Sequence, residues 1–233
     1  MPNVCALLID LDGTLMDTAP DLAEAVNRMR EDLGMSRLSE ERIACFIGKG
    51  APVLVHRALS DDMDGRCPEV LHAKGIARFR HHYHELNGTR TVIYDGVPQA
   101  LATLRETHLR LACVTNKPRE FTIPLLERLG MAPFFAEVVA GDDVREPKPH
   151  PALLLKACAN LDLQPVQVLM IGDSFNDARA AQAAGMKVVL VETGYNEGES
   201  LQSFTNDPTV LAVVPGLLDA VGWLLASGYV RSE

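Results

Sequence analysis

The sequence is short of what a nucleic-acid surface needs. Its 22 Lys and Arg are outnumbered by 31 Asp and Glu, for a formal net charge of -9, and it lacks the clustered positive charge that phosphate-backbone binding requires. An anionic ligand must therefore be held by a local site. Long hydrophobic runs are missing too. No stretch approaches the roughly 18 apolar residues of a membrane span, and the N-terminus has no basic segment leading into a cleavable apolar one. A cytoplasmic protein is expected, with neither membrane nor nucleic acid as partner. Cysteine is scarce and scattered: Cys5, Cys45, Cys67, Cys113 and Cys158 are odd in number and never form a CxxC pair. This predicts reduced thiols rather than disulfides or a zinc site.

What is there suffices for one core plus an insertion: 233 residues, 47% hydrophobic and 23% charged. Residues 4–18 read VCALLIDLDGTLMDT, an apolar run of strand length that ends in two aspartates one residue apart. Four further β-branched-rich runs come after it: RLACVT at 110–115, AEVVAG at 136–141, QVLMIG at 167–172 and KVVLVE at 187–192. Segments of helical periodicity alternate with them, with apolar faces at Leu101 and Leu104, at Leu125, Leu126 and Leu129, at Leu153, Leu154, Ala157 and Leu161, and at Ala180, Ala181 and Ala184. Strands that are apolar throughout and alternate with helices predict an α/β protein whose parallel sheet is covered on both faces.

Residues 16–86 break that rhythm. They hold no convincing strand, but Thr18-Ala19-Pro20-Asp21 has the form of a capping-box helix start, succeeded by Leu22, Ala25, Val26, Met29 and Leu33 on one face. A later segment places Ile76, Phe79, Tyr83 and Leu86 in the same way. The expected organisation is a core from 1–15 and 87–233, with a helical insert at 16–86. An insert at the carboxyl end of a strand stands where open α/β sheets bind ligands, and so can act as a lid.

The ends of the predicted strands carry the chemistry. The first delivers Asp10 and Asp12, the second Thr115 and Asn116, the segment after the third Lys148, and the fourth Asp173 with Asp177 a turn later. Crowded carboxylates repel, and an all-oxygen set suits Mg²⁺, which in turn invites phosphate. Side chains two apart on a strand share a face, so Asp10 and Asp12 can flank one phosphorus atom. Asp10 is the candidate nucleophile and Asp12 the candidate general acid and base. Gly13 lets the chain turn and leaves room over the phosphate. Thr115 and the amide of Asn116 are candidates to hold phosphate oxygens, and Lys148 to offset the charge that builds on them. Asp173 is the candidate metal ligand, with Asp177 on the same helical face, binding through water or orienting Lys148. His81, His82 and His84 lie on a predicted helix at spacings that cannot present three ligands to one metal. His150 reads as a loop residue. A phosphate-accepting signalling module also places an aspartate, a lysine and a threonine at strand ends, but it is about half this length and has no acid two residues beyond the nucleophile, since its acyl phosphate must persist.

Taken in order, DLDGT at 10–14, VTNKP at 114–118, KPHP at 148–151 and GDSFNDARAA at 172–181 resemble the four motifs of the haloacid-dehalogenase-like phosphatases. The resemblance implies a Rossmann-like core, a helical cap after the first motif, an aspartyl-phosphate intermediate and a Mg²⁺ requirement. It also implies that Asp10, the main-chain carbonyl of Asp12 and Asp173 bind the metal. Within this family the chain is most similar to the bacterial phosphoglycolate phosphatases, through APDLAEAVNRM at 19–29, IGKGAPVLVHRAL at 47–59, YDGVPQAL at 94–101 and TGYNEG at 193–198. The implied reaction is hydrolysis of 2-phosphoglycolate to glycolate and phosphate, by a monomer or homodimer. Alternatives of the same core chemistry are a phosphatase for a sugar phosphate, N-acetylmuramic acid 6-phosphate or pyrophosphate, and a β-phosphoglucomutase-like enzyme. A dehalogenase is disfavoured, having no leaving alkoxide for Asp12 to protonate. A carboxylate two carbons from the phosphate calls for a second cationic or amide-rich locus. Gly48, Lys49 and Gly50, with Arg57 nearby, are the candidates for it.

Overall fold

The computed structural model describes residues 4–230. Six strands form one sheet, all parallel, in the order β5-β4-β1-β6-β7-β8. These are β1 (Ala6–Ile9), β4 (Arg110–Val114), β5 (Glu137–Val139), β6 (Val168–Gly172), β7 (Lys187–Val191) and β8 (Val210–Val214). Strand periodicity sorts the side chains. Leu7, Ile9, Leu111, Cys113, Leu169 and Ile171 turn to one face, where α5 (Val97–Arg105) and α9 (Leu217–Ala226) cover them. Ala6, Leu8, Ala112, Val114, Met170 and Val188 turn to the other, under α7 (Ala152–Asn160) and α8 (Phe175–Ala184). This is the doubly covered parallel sheet expected from the alternating runs, in the Rossmann-like arrangement that the resemblance implied. The strand β8 was not among those runs; its residues are all only half-buried at the sheet edge.

The chain leaves β1 for β4 on one side and later returns to β6 on the other, so the sheet reverses its winding direction between β1 and β6. Loops diverging from such a point leave a crevice at the carboxyl ends of the strands. Asp10 comes directly after β1 and Asp173 directly after β6, which puts both at that crevice.

Four helices lie between β1 and the rest of the sheet: α1 (Ala19–Asp32), α2 (Glu40–Ala44), α3 (Gly50–Ser60) and α4 (Glu69–Leu86). They pack round their own apolar cluster, which includes Leu22, Met29, Phe46, Leu54, Phe79 and Tyr83. Phe121, from α6 (Arg119–Arg128) below β4, joins this cluster and ties it to the sheet. A short antiparallel pair, β2 (Met16–Asp17) with β3 (Val92–Ile93), clasps the two chain crossings between the helical layer and the sheet. Residues 16–86 therefore contain a strand after all, too short to leave a periodic pattern.

The capping box expected at Thr18 does not form. The Thr18 hydroxyl donates instead to Asp12 at 2.6 Å, and Asp21 turns back to the returning crossing. There its carboxylate accepts from the Gly88 and Thr91 amides at 2.9 and 3.0 Å, the Arg90 amide at 2.8 Å, and the Thr89 and Thr91 hydroxyls at 2.9 and 2.6 Å. No helix among the described residues is long and apolar enough to cross a membrane.

Candidate active site

Lys148 organises the centre of the crevice. Its ammonium is buried and donates to Asp10 Oδ1 at 2.8 Å, Asp177 Oδ1 at 2.7 Å and the Val114 carbonyl at 2.9 Å. Those three acceptors take all three of its N–H donors. Burial works against the charge, but the two carboxylates outweigh it and hold the lysine above its ordinary value. The second oxygen of Asp177 accepts from the Ser174 amide at 3.1 Å and the Ser174 hydroxyl at 2.7 Å. Asp177 is thus fixed from both sides, and it fixes Lys148.

Asp10 and Asp173 are strained electrostatically. Burial, opposed by Lys148 and reinforced by Asp177, raises the Asp10 carboxyl to about 7. Burial, then Asp177 and Asp10, pushes Asp173 well above the usual carboxylate range. Asp173 accepts from the Thr14 hydroxyl at 2.9 Å and the Tyr195 amide at 3.1 Å, which leaves its charge uncompensated by any cation it touches. Oxygens of Asp10, Asp173 and Asp177 lie within 4.8 Å of one another. A buried all-oxygen group of three carboxylates that share a single lysine, with no cation on Asp173, fits a hard divalent cation.

Gly13 is required here for two reasons. Its φ of +89° is the left-handed region that favours glycine, and a Cβ would come within 2.5 Å of an Asp173 oxygen. The space it keeps clear is therefore filled by the Asp173 carboxylate, not by open room for phosphate as the sequence suggested. Gly194 approaches the same carboxylate from the far side, where a Cβ would stand 1.8 Å from it.

Asp12 has a separate set of partners. The Lys117 ammonium donates to its Oδ1 at 2.9 Å, beside the Thr18 hydroxyl. Lys117 is buried, and burial disfavours its charge, but Asp12 and Tyr83 more than compensate and keep it cationic. Its ammonium lies over the Tyr83 ring, 4.9 Å from the centroid. Sequence reasoning missed Lys117, although VTNKP contains it, because Thr115 and Asn116 absorbed the motif; Thr14 and Tyr83 were missed as well.

Asp10, Asp12, Thr115 and Asn116 line a cavity of about 40 Å³ beneath the helical layer, with Gly48 and Gly50 at its rim. Thr115 is buried, and its hydroxyl accepts from the Lys117 amide at 3.1 Å. The Asn116 side chain is engaged elsewhere. It accepts from the Lys148 amide at 2.8 Å and donates to the Gly48 and Lys148 carbonyls, each at 2.8 Å, so it fastens the loops and has no side-chain donor left for a phosphate oxygen.

Lys49 does not reach the cavity. Its ammonium pairs with Glu197 at 3.1 Å, and the buried Arg57 reaches the same carboxylate at 3.1 Å. Burial raises Glu197, but these two cations outweigh it and hold its carboxyl below the usual range. His82 pairs with Asp32 at 2.8 Å and His84 with Glu120 at 3.2 Å, while His81 is exposed; the three share no site.

Parallel strands thus end in a set of carboxylates held by two buried lysines, Lys148 and Lys117. The model of haloacid dehalogenase-like hydrolases matches residues 7–191, and the chain belongs to that family. A phosphoglycolate phosphatase of Nitrosospira multiformis is 44% identical over 92% of this chain and 93% of its own. A plasmid-encoded phosphoglycolate phosphatase of Cupriavidus necator is 46% identical over 82% of this chain and 81% of its own. Among solved structures, a predicted phosphoglycolate phosphatase from Haemophilus somnus superposes with a TM-score of 0.87 at 31% identity, covering 96% of this chain and 99% of that one. The fold is also that of CbbY from Rhodobacter sphaeroides, solved with phosphate, at a TM-score of 0.76, 23% identity and 93% and 96% coverage.

Proposed function

We propose that the protein hydrolyses 2-phosphoglycolate to glycolate and phosphate through a phosphorylated Asp10. The observation that carries this is the convergence of Asp10 and Asp12 on one cavity beneath the helices, each with its own lysine. Asp10 attacks phosphorus along the line of the departing ester oxygen; as its O–P bond forms, the P–O ester bond breaks. Asp12 gives its proton to the glycolate oxygen. Asp12 then takes a proton from water, the water oxygen bonds to phosphorus, and the acyl-phosphate bond breaks to restore the Asp10 carboxylate. Thr115 donates its hydroxyl to a phosphoryl oxygen, and Lys148 holds Asp10 in line while offsetting charge on the transferring group. The helices of residues 16–86 act as a cap that excludes water from the first step. Asp10, Asp173 and the main-chain carbonyl of Asp12 would hold Mg²⁺, with Asp177 beside them. When bound, that ion neutralises phosphoryl and carboxylate charge.

The names of the curated relatives support this substrate. The test is phosphate release with Mg²⁺, and again with EDTA, from 2-phosphoglycolate, glucose 1-phosphate, glucose 6-phosphate, N-acetylmuramic acid 6-phosphate and pyrophosphate. The expected result is release that needs Mg²⁺ and favours 2-phosphoglycolate. Preference for another ester would overturn the substrate and leave the chemistry standing.

A further inference from the structure

We infer that Lys117 and Tyr83 form a subsite for a second anionic group of the substrate, the carboxylate, at the wall of the cavity beside Asp12. This rests on the substrate proposed above and names the residues that select it. Lys117 is the only cation among the described residues that line the cavity. One of its three N–H donors goes to Asp12, and its ammonium also faces the Tyr83 ring. A donor therefore remains for a ligand. Tyr83 lines the same wall; its hydroxyl is fully buried, its polar neighbour is the Lys117 ammonium, which cannot accept, and no acceptor takes its O–H. A buried hydroxyl left unpaired carries a desolvation cost that a ligand acceptor would relieve. The wall around them is apolar, built from Leu22, Ile47, Leu54, Phe79 and Phe121, so Lys117 is the cation it offers an anion.

Size points the same way. The cavity of about 40 Å³ offers roughly three or four water-sized positions, room for a short carboxylate-bearing stub beneath the helices as they stand. Lys49 and Arg57, the cations expected for this role, are spent on Glu197 outside the cavity. Because Tyr83 comes from α4 and Lys117 from the loop after β4, a carboxylate bound to both ties the helical layer to the sheet. Recognition of the second anion then also closes the site.

The test compares kcat/KM for 2-phosphoglycolate with that for ethyl phosphate, which has the same two carbons and no carboxylate. Any damage that Lys117→Met does to Asp12 falls on both substrates, so the ratio isolates the carboxylate. Wild type should favour 2-phosphoglycolate, Lys117→Met should cut that preference about 10- to 100-fold, and Tyr83→Phe several-fold. Should Lys117→Met be too slow to assay, calorimetric titration of both esters on the non-turning Asp10→Asn protein, with and without Lys117→Met, reads the same ratio as binding. A wild-type preference that survives both substitutions overturns the subsite and spares the substrate. A wild type indifferent to the carboxylate overturns both.

Discussion

Asp10 and Asp12 are two residues apart, yet their surroundings fit them for different work. Asp10 faces a lysine whose donors are all spent on fixed acceptors, so its position is rigid. Asp12 meets a hydroxyl from the start of the first helix and a lysine from another loop, so its partners come from both the helical layer and the sheet. Asp10→Asn should therefore lose turnover by a factor on the order of 10⁵ or more. Asp12→Asn should slow it by about 10² to 10⁴ and leave Asp10 phosphorylated, since the base that activates water is gone. Intact-mass spectra after mixing with substrate separate the two: only the Asp12 variant should carry an added phosphoryl group. An Asp10→Asn protein with substantial activity would sink the mechanism. The carboxylates were legible in the sequence because apolar runs mark where strands end, and a parallel sheet brings the residues just past each strand end to the crevice. Lys117 was not, because a loop lysine has no periodic signature and its partner Asp12 is 105 positions away.

At the scale of elements, the alternation of strands and helices was readable, and the clasp between the two layers was not. Two-residue strands such as β2 and β3 are too short to show a period of two, and a carboxylate at Asp21 looks like an ordinary first-turn acid of a helix. Only the structure reveals that Asp21 fastens the returning crossing. Its removal strands the buried Gly88 and Thr91 amides, each costing about 1–3 kcal/mol when left unsatisfied. Asp21→Ala should lower stability by about 3 kcal/mol or more in urea titration, with Asp21→Asn falling between it and wild type. If Asp21→Ala unfolds at the wild-type midpoint, the crossing does not depend on this carboxylate. The second fastening, Glu197 with Lys49 and Arg57, joins α3 and the loop before it to the segment after β7. It takes up the lysine that the sequence offered to the substrate, because a charge that looks free in one dimension meets a half-buried acid in three.

The molecule as a whole inherits its response to pH from the crevice. Asp10 is raised from 3.8 to about 7 and Asp173 is raised as well, both chiefly by burial. A carboxyl raised by folding binds its proton more tightly in the folded chain than in the unfolded one. Its contribution to stability is therefore fully present below 3.8 and is lost as pH rises through about 7. Without metal, the melting temperature should accordingly fall between about pH 4 and about pH 7 relative to an Asp10→Asn protein, which lacks the Asp10 proton. A divalent cation that takes up the same oxygens must displace those protons, so its binding should strengthen over the same interval and release protons into unbuffered solution. Differential scanning calorimetry with and without Mg²⁺ at the two ends of that range reads both effects. The rise in melting temperature on adding Mg²⁺ should be larger at the alkaline end and should shrink in Asp173→Asn. An equal rise at both ends would mean that the ion binds away from Asp10 and Asp173, and the electrostatic strain in the crevice would then need another purpose.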